Sequence, residues 1–141
     1  NGEVAEEVDL KGVKPVDLTL GTKATGKYTQ VSVICPENKF GALRDTMNAI
    51  GVTGMTVTQV MGCGVEKGHL GRYKGVPTSM NLYPKVKVDI VVSTVDPGLV
   101  VAAAQKAIGT EHRGSGKIFV SDVEDVMRVR TGETGYDALN D

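Results

Sequence analysis

A chain of 141 residues with 40% hydrophobic and 23% charged residues has the length of one domain plus a short appendage, and enough apolar residues to bury a core. A net charge of −1 gives no basis for a nucleic-acid or membrane surface, and no apolar run approaches the ~20 residues of a membrane span. The N-terminus has no signal-peptide pattern, and Cys35 and Cys63 stand far apart outside any C-x-x-C arrangement, so a cytoplasmic protein with inert thiols and no Cys/His metal constellation is expected.

Residues 1–26 are acidic at the start, contain Pro15, and show no sustained period; they are expected to form a flexible or peripherally docked extension before a domain over 27–141. "YTQVSVIC" alternates, placing Val31, Val33 and Cys35 on one face of a strand that Pro36 ends. "ENKFGALRDTMNAIG" spaces Phe40, Leu43, Met47 and Ile50 as a helix, with Gly51 at its C-terminal cap. "GMTVTQVMG" (Gly54–Gly62) returns to strand alternation, and "KVKVDIVVS" puts Val86, Val88, Ile90 and Val92 on one face, with Lys85, Lys87 and Asp89 opposite. Asp96-Pro97 opens a second helix as N-cap and first-turn proline, and Gly109 closes it. "KIFVSD" is a further strand. "VMRVRTG" alternates as a short last one, with Arg128 and Arg130 on the same side. The order βαββαβ predicts an α+β, ferredoxin-like sandwich.

Two stretches exceed what such a fold needs. Roughly 22 residues (63–84) separate the middle strands, where a hairpin takes two to five, and a loop so long inside a compact domain points to function. The second is "TEHRGSGKIFV" (Thr110–Val120). Gly109 and Gly114 have Walker spacing, but Ser115 stands where the lysine belongs and the helix precedes rather than follows, so that reading fails. A different anion site remains: N–H groups of Gly114, Ser115 and Gly116 with the Lys117 ammonium, and further charge from Arg113, Arg128 and Arg130. The opposing reading is a turn before a solvated edge strand whose arginines discourage edge pairing.

From about Tyr28 to Glu133 the motifs together resemble the PII nitrogen-regulatory signal-transduction proteins: "GVTGMTVTQV", "GCGVEKGH", "RYKG", "YPKVKVDIVV", "GSGKIFV" and "VMRVRTGE" in one order and spacing. The resemblance implies a homotrimer with ATP or ADP bound competitively in clefts between subunits, and a long T-loop (about 63–84) that grips a target such as an ammonium transporter. Carried over by position, it implies nucleotide contacts from Gly62 and Gly64 at the T-loop base and from Val91. It adds Thr110, Gly114, Ser115, Gly116 and Lys117 around the B-loop (about 109–116), with Arg128 and Arg130 reaching the phosphates from a neighbouring subunit.

The chain also departs from the family pattern. The glutamine that helps hold Mg²⁺ and 2-oxoglutarate is Glu66, which could ligate Mg²⁺ but would repel a dicarboxylate unless the metal bridges them. Lys85, the partner of the distal 2-oxoglutarate carboxylate, is retained, whereas the basic residue before the glutamine is Val65. Thr78 replaces the uridylylated tyrosine, Lys74 replaces the arginine that enters the ammonium channel in some members, and Ser115 replaces an aspartate between glycines. An adenine-nucleotide regulator with an altered or lost 2-oxoglutarate response is the reading these residues favour. The alternatives are a paralogue sensing the ATP/ADP ratio or another small anion, a slow ATPase, and a structural trimer similar to CutA-type proteins. No nucleophile–base pair supports an enzyme, since His112 has no orienting partner in sequence. The acidic start, "EVAEEVDLKGVKPVD", also looks somewhat like the cytosolic tail of ammonium transporters, and the chain opens Asn1-Gly2 without methionine. A transporter fusion is therefore weighed against an acidic linker, and the linker is preferred.

Overall fold

The computed structural model describes residues 8–18, 28–64, 72–73, 76–77, 81–109 and 116–139. Strand β1 (Thr29–Pro36) passes through a 3₁₀ turn (Glu37–Lys39) into helix α1 (Phe40–Ala49), and β2 (Thr56–Gly64) follows. Two short strands, β3 (Arg72–Tyr73) and β4 (Val76–Pro77), pair with each other in a separate two-stranded sheet. Then come β5 (Asn81–Val92), helix α2 (Pro97–Ile108), β6 (Lys117–Asp122) and the single turn α3 (Tyr136–Leu139). The main sheet is antiparallel in the order β2-β5-β1-β6, and α1 and α2 cover one of its faces. This is the ferredoxin-like α+β arrangement that the sequence predicts.

The alternation read from sequence sorts the two faces. Val31, Val33 and Cys35 of β1 and Val86, Val88, Ile90 and Val92 of β5 all point into the core. Leu43 and Met47 of α1 and Val100, Ala103, Ala104 and Ile108 of α2 meet them from above. The two alanines let α2 approach the sheet closely, and the branched residues opposite fill the space between. The other face, where Ser32, Ile34, Lys85, Lys87, Asp89, Lys117 and Phe119 emerge, is covered by neither α1 nor α2; among the described residues only the single turn α3 meets it, at the Val91 end.

The helix ends follow their local chemistry. Gly51 has φ 97°, and the amides of Gly51 and Val52 donate to Asn48 O (3.2 Å) and Met47 O (3.0 Å), the paired closing bonds of a glycine-terminated helix. At the start of α2, the Asp96 carboxylate accepts from the Gly98 amide at 2.9 Å, with Pro97 supplying the preset first turn.

Two elements differ from expectation. First, β2 and β5 stay paired out to Gly64 opposite Asn81, so the excursion between them is narrower than 63–84. The sequence suggested that Pro84 lies outside the strand. However, β1 ends with Pro36 opposite Lys85, so at Pro84 only β2 flanks β5 and no hydrogen bond is lost on the other side. Second, "VMRVRTG" is not a strand. An isolated bridge joins Met127 to Thr134 around a tight loop in which Arg128 N donates to Glu133 O and Gly132 N to Arg128 O, both 2.8 Å. Gly132, at φ 73°, permits the reversal that alternation alone did not reveal. Of the two arrangements left open for the N-terminal extension, its described part, residues 8–18, takes the docked one, with Leu10 and Val13 packed against the core.

Candidate functional site

The anion end of the site is built where β6 begins. Gly116 has φ 119°, and a Cβ there would fall onto the carbonyl oxygen of Ile34, so the chain can lie this close to β1 only as glycine. Lys117 follows directly, opposite Ile34, which on its other side pairs with Lys87. Lys117 and Lys87 thus flank Ile34 on the face away from α1 and α2, two strand spacings or about 10 Å apart. Gly62 and Lys85 lie further along the same face. The Lys85 stem crosses Gly62 so closely that a Cβ there would be 3.0 Å from Lys85 Cε. Among the described residues nothing lies within 4 Å of a Cβ built at Gly64. On the core side, burial pushes the Cys35 thiol up from its ordinary pKa, and the Lys85 charge opposes that shift only in part.

A second group gathers at the other end of the sheet. Val91, Gln30, Asp89 and Thr56 line a cavity of about 530 Å³ with residues Val52–Met55 and with Ala138 and Leu139 of the C-terminal segment. Asp89 accepts from Ser32 Oγ and from Gln30 Nε2 (3.3 Å), and its other oxygen lies 3.9 Å from Lys87 Nζ. The cavity wall is therefore polar on the sheet side and apolar around Val91 and Leu139. Arg128 belongs to this group: its side chain donates to Glu133 Oε1 (3.2 Å) and to the carbonyl of Asp137 (2.9 Å), one residue before the cavity lining. Arg130 is exposed within the turn. The two arginines are therefore not neighbours on a strand face, as their i, i+2 spacing had suggested. The turn at 129–131 separates their environments.

The expected residues thus fall into two clusters within one chain. Gly62, Lys85, Gly116 and Lys117 form the first; Val91 and Arg128 belong to the second. Val91 is in register with Gln30 and Lys117 with Ile34, four residues apart on β1, or about 14 Å along the strand. Thr110, Arg113, Gly114, Ser115, Glu66 and Lys74, with Val65 and Thr78, lie outside the described residues. Sequence reading missed Gln30, Thr56 and Asp89 as cavity residues. The signal for Asp89 was a lone carboxylate in a valine-rich strand, which has to find partners where it is half-buried. Among the described residues no group of three or more His, Cys, Asp or Glu could hold a metal ion, and no helix is long and apolar enough to cross a membrane.

A family model described as nitrogen regulatory protein P-II matches residues 28–133, from the start of β1 through the Arg128 loop. The chain belongs to the P-II family. Nitrogen regulatory protein P-II of Rhizobium meliloti (strain 1021) is 39% identical over 110 residues, covering 78% of this chain and 98% of the relative. Nitrogen regulatory protein GlnK of Escherichia coli (strain K12) is 40% identical, covering 77% and 97%. Among solved structures, the complex of B. subtilis GlnK with ATP superposes with a TM-score of 0.71 at 36% identity, over 82% of this chain and all of GlnK. Arabidopsis thaliana PII bound to citrate gives 0.65 at 32% identity, over 80% and 92%. The P-II match begins at Tyr28, so the docked segment 8–18 lies outside it.

Proposed function

We propose that this P-II chain is an adenine-nucleotide-responsive regulator that holds each nucleotide between two copies of a homotrimer. The observation that carries the reading is the division of the site into two clusters about 14 Å apart along β1. One copy offers the anion end, the Gly116 backbone and the Lys117 ammonium, with Thr110, Gly114 and Ser115 of the same loop assigned by resemblance. Its neighbour offers the cavity around Val91 and the charges of Arg128 and Arg130. The sheet face away from α1 and α2, where Phe119 is half-exposed opposite Ser32, supplies apolar area for such an assembly. The likeness to GlnK in complex with ATP supports adenine nucleotide as the ligand. ATP and ADP share this cleft in the reading, and their phosphates meet the lysine and arginines through charge-assisted hydrogen bonds.

The segment between β2 and β5 is the T-loop in this reading. It contacts a target protein, for which an ammonium transporter at the cytosolic face of a membrane is the leading candidate, with Lys74 as a contact. The role is regulatory rather than catalytic, and the chain is cytoplasmic. Mg²⁺ would be ligated through Glu66, and 2-oxoglutarate would meet Lys85. The carboxylate at position 66 and the missing basic residue at 65 support a weakened or lost 2-oxoglutarate response.

Titration calorimetry with ATP and ADP, in the presence and absence of Mg²⁺ and 2-oxoglutarate, tests both parts. Saturable binding of both nucleotides is expected, with about a tenfold or greater loss in Lys117→Ala, as follows from removing one charged phosphate contact. Absence of adenine-nucleotide binding in the wild type refutes the nucleotide reading. Tight, ATP-dependent uptake of 2-oxoglutarate refutes the loss of that response.

A further inference from the structure

The segment outside the family match is locally built to dock. Asp9 Oδ1 accepts from Lys11 N at 2.9 Å, Val13 N donates to Leu10 O at 3.1 Å, and Gly12 takes φ 79° in the tight turn between them. The turn sends Leu10 and Val13 to the same side, where both pack against the core cluster. Residues Val8–Leu10 line a shallow cavity of about 230 Å³ with Ala42 and Thr46 of α1 and Ala107 of α2, so the segment spans both helices.

Two features of α2 match this segment at opposite ends of the helix. At its start, Val16 N donates to Gly98 O at 2.9 Å, and a Cβ on Gly98 would fall onto the Val16 carbonyl oxygen and lie 3.1 Å from its nitrogen. Gly98 has an ordinary helical backbone, so its want of a side chain is explained by the segment above it. At the end of α2, Lys106 Nζ donates to Lys11 O at 2.6 Å and lies 3.7 Å from an Asp9 carboxylate oxygen. The segment therefore runs back along α2, from its last turn to its first. That last turn ends at Gly109, whose amide donates to Gln105 O at 2.9 Å.

We propose that the outer α1–α2 face is a peptide groove whose dedicated occupant is the chain's own segment Val8–Val16, reversibly docked, and that docking braces the C-terminal turn of α2 through Lys106. The groove is specified from both sides: Gly98 leaves room for a crossing backbone, Lys106 collects a carbonyl and a carboxylate, and Leu10 and Val13 supply the apolar anchors. The brace acts on the turn that precedes the 110–115 stretch, so segment occupancy becomes an input to that end of the fold. This inference stands independently of the nucleotide reading.

Hydrogen exchange at amide resolution on the full chain without nucleotide tests it, comparing wild type, Gly98→Ala and Leu10→Asp. Alanine suits a helix better than glycine, so Gly98→Ala ejects the segment without weakening α2. Leu10→Asp acts from the segment side. The wild type is expected to protect the Val13 and Val16 amides. Both variants are expected to lose about tenfold or more of that protection and to exchange faster at Gly109, with β1 and β5 unchanged. An unprotected Val16 in the wild type, or full protection retained in Gly98→Ala, overturns the groove. Release of the segment with unaltered Gly109 exchange overturns the brace. Loss of protection throughout β1 and β5 in both variants overturns reversible docking, because the segment would then be an indispensable part of the core.

Discussion

Replacing Gly116 with alanine probes the junction that brings Lys117 onto the sheet. The site has φ 119°, and an added Cβ would fall onto the Ile34 carbonyl oxygen with Cys35 Cα 3.2 Å away. Two costs add. Holding alanine in this backbone region costs about 1–3 kcal/mol. Moving the obstructing atoms costs about 1–3 kcal/mol more, as in other overpacked sites. Ile34 yields poorly because β1 is clamped between β5 and β6, with Lys87 and Lys117 as its paired neighbours. The sum, about 2–6 kcal/mol, is a large share of the 5–15 kcal/mol that a domain has in total. At ~4 °C per kcal/mol for a domain of this size, the melting midpoint should fall by roughly 8–24 °C. Calorimetry at matched protomer concentration measures it, since assembly makes the midpoint concentration-dependent. Gly54→Ala is the control: a Cβ there meets nothing within 4 Å and the backbone is not in the glycine-favouring region, so a change within about 0.5 kcal/mol is expected. A Gly116→Ala protein that melts within about 2 °C of wild type would show that the Ile34 contact does not confine this turn.

Other perturbations follow from the same geometry. Asp96→Ala removes the carboxylate that caps α2 and should cost about 1 kcal/mol in urea unfolding, while Asp96→Asn or Asp96→Ser should recover most of it. Leu43→Ala empties a fully buried position beneath α1 and should cost about 2–5 kcal/mol. The Cys35 thiol is raised by burial, so the folded state keeps its proton after the unfolded chain, whose thiol ionises near ~8.5, has begun to lose it. Its contribution is therefore complete below about pH 8.5 and declines as pH rises beyond that; denaturant midpoints in Cys35→Ala should lack this alkaline decline. In the native protein a thiol reagent should modify exposed Cys63 quickly and buried Cys35 only on unfolding.

Periodicity made the body of the fold legible. The alternation at Val31, Val33 and Cys35 and at Val86 through Val92, and the helical spacing of Leu43 and Met47, each state which face is buried, because burial rewards one face per period. Caps were legible for the same local reason: Asp96-Pro97 and Gly51 satisfy helix-end groups with atoms only a few residues away. The "VMRVRTG" stretch failed because alternation over a few residues fits both a strand and a loop closed by one glycine, and only the Arg128–Glu133 backbone pairing distinguishes them.

By itself the sequence determined that this chain carries an α+β domain with two covering helices and a glycine-lysine stretch leading into a strand, since these rest on contacts within a few residues. Tertiary structure decided everything that depends on distant segments meeting. The strand register separated Lys117 from Val91 and so divided the site into two clusters. It admitted Pro84 to β5 by ending β1 one residue earlier in register. It also laid Val16 across Gly98, a glycine whose reason cannot be seen in its own neighbourhood because the atom that excludes a side chain comes from more than eighty residues away. Steric exclusion and charge pairing act through space, whereas propensity and periodicity act along the chain, and the candidate site and the N-terminal strap both depend on the former.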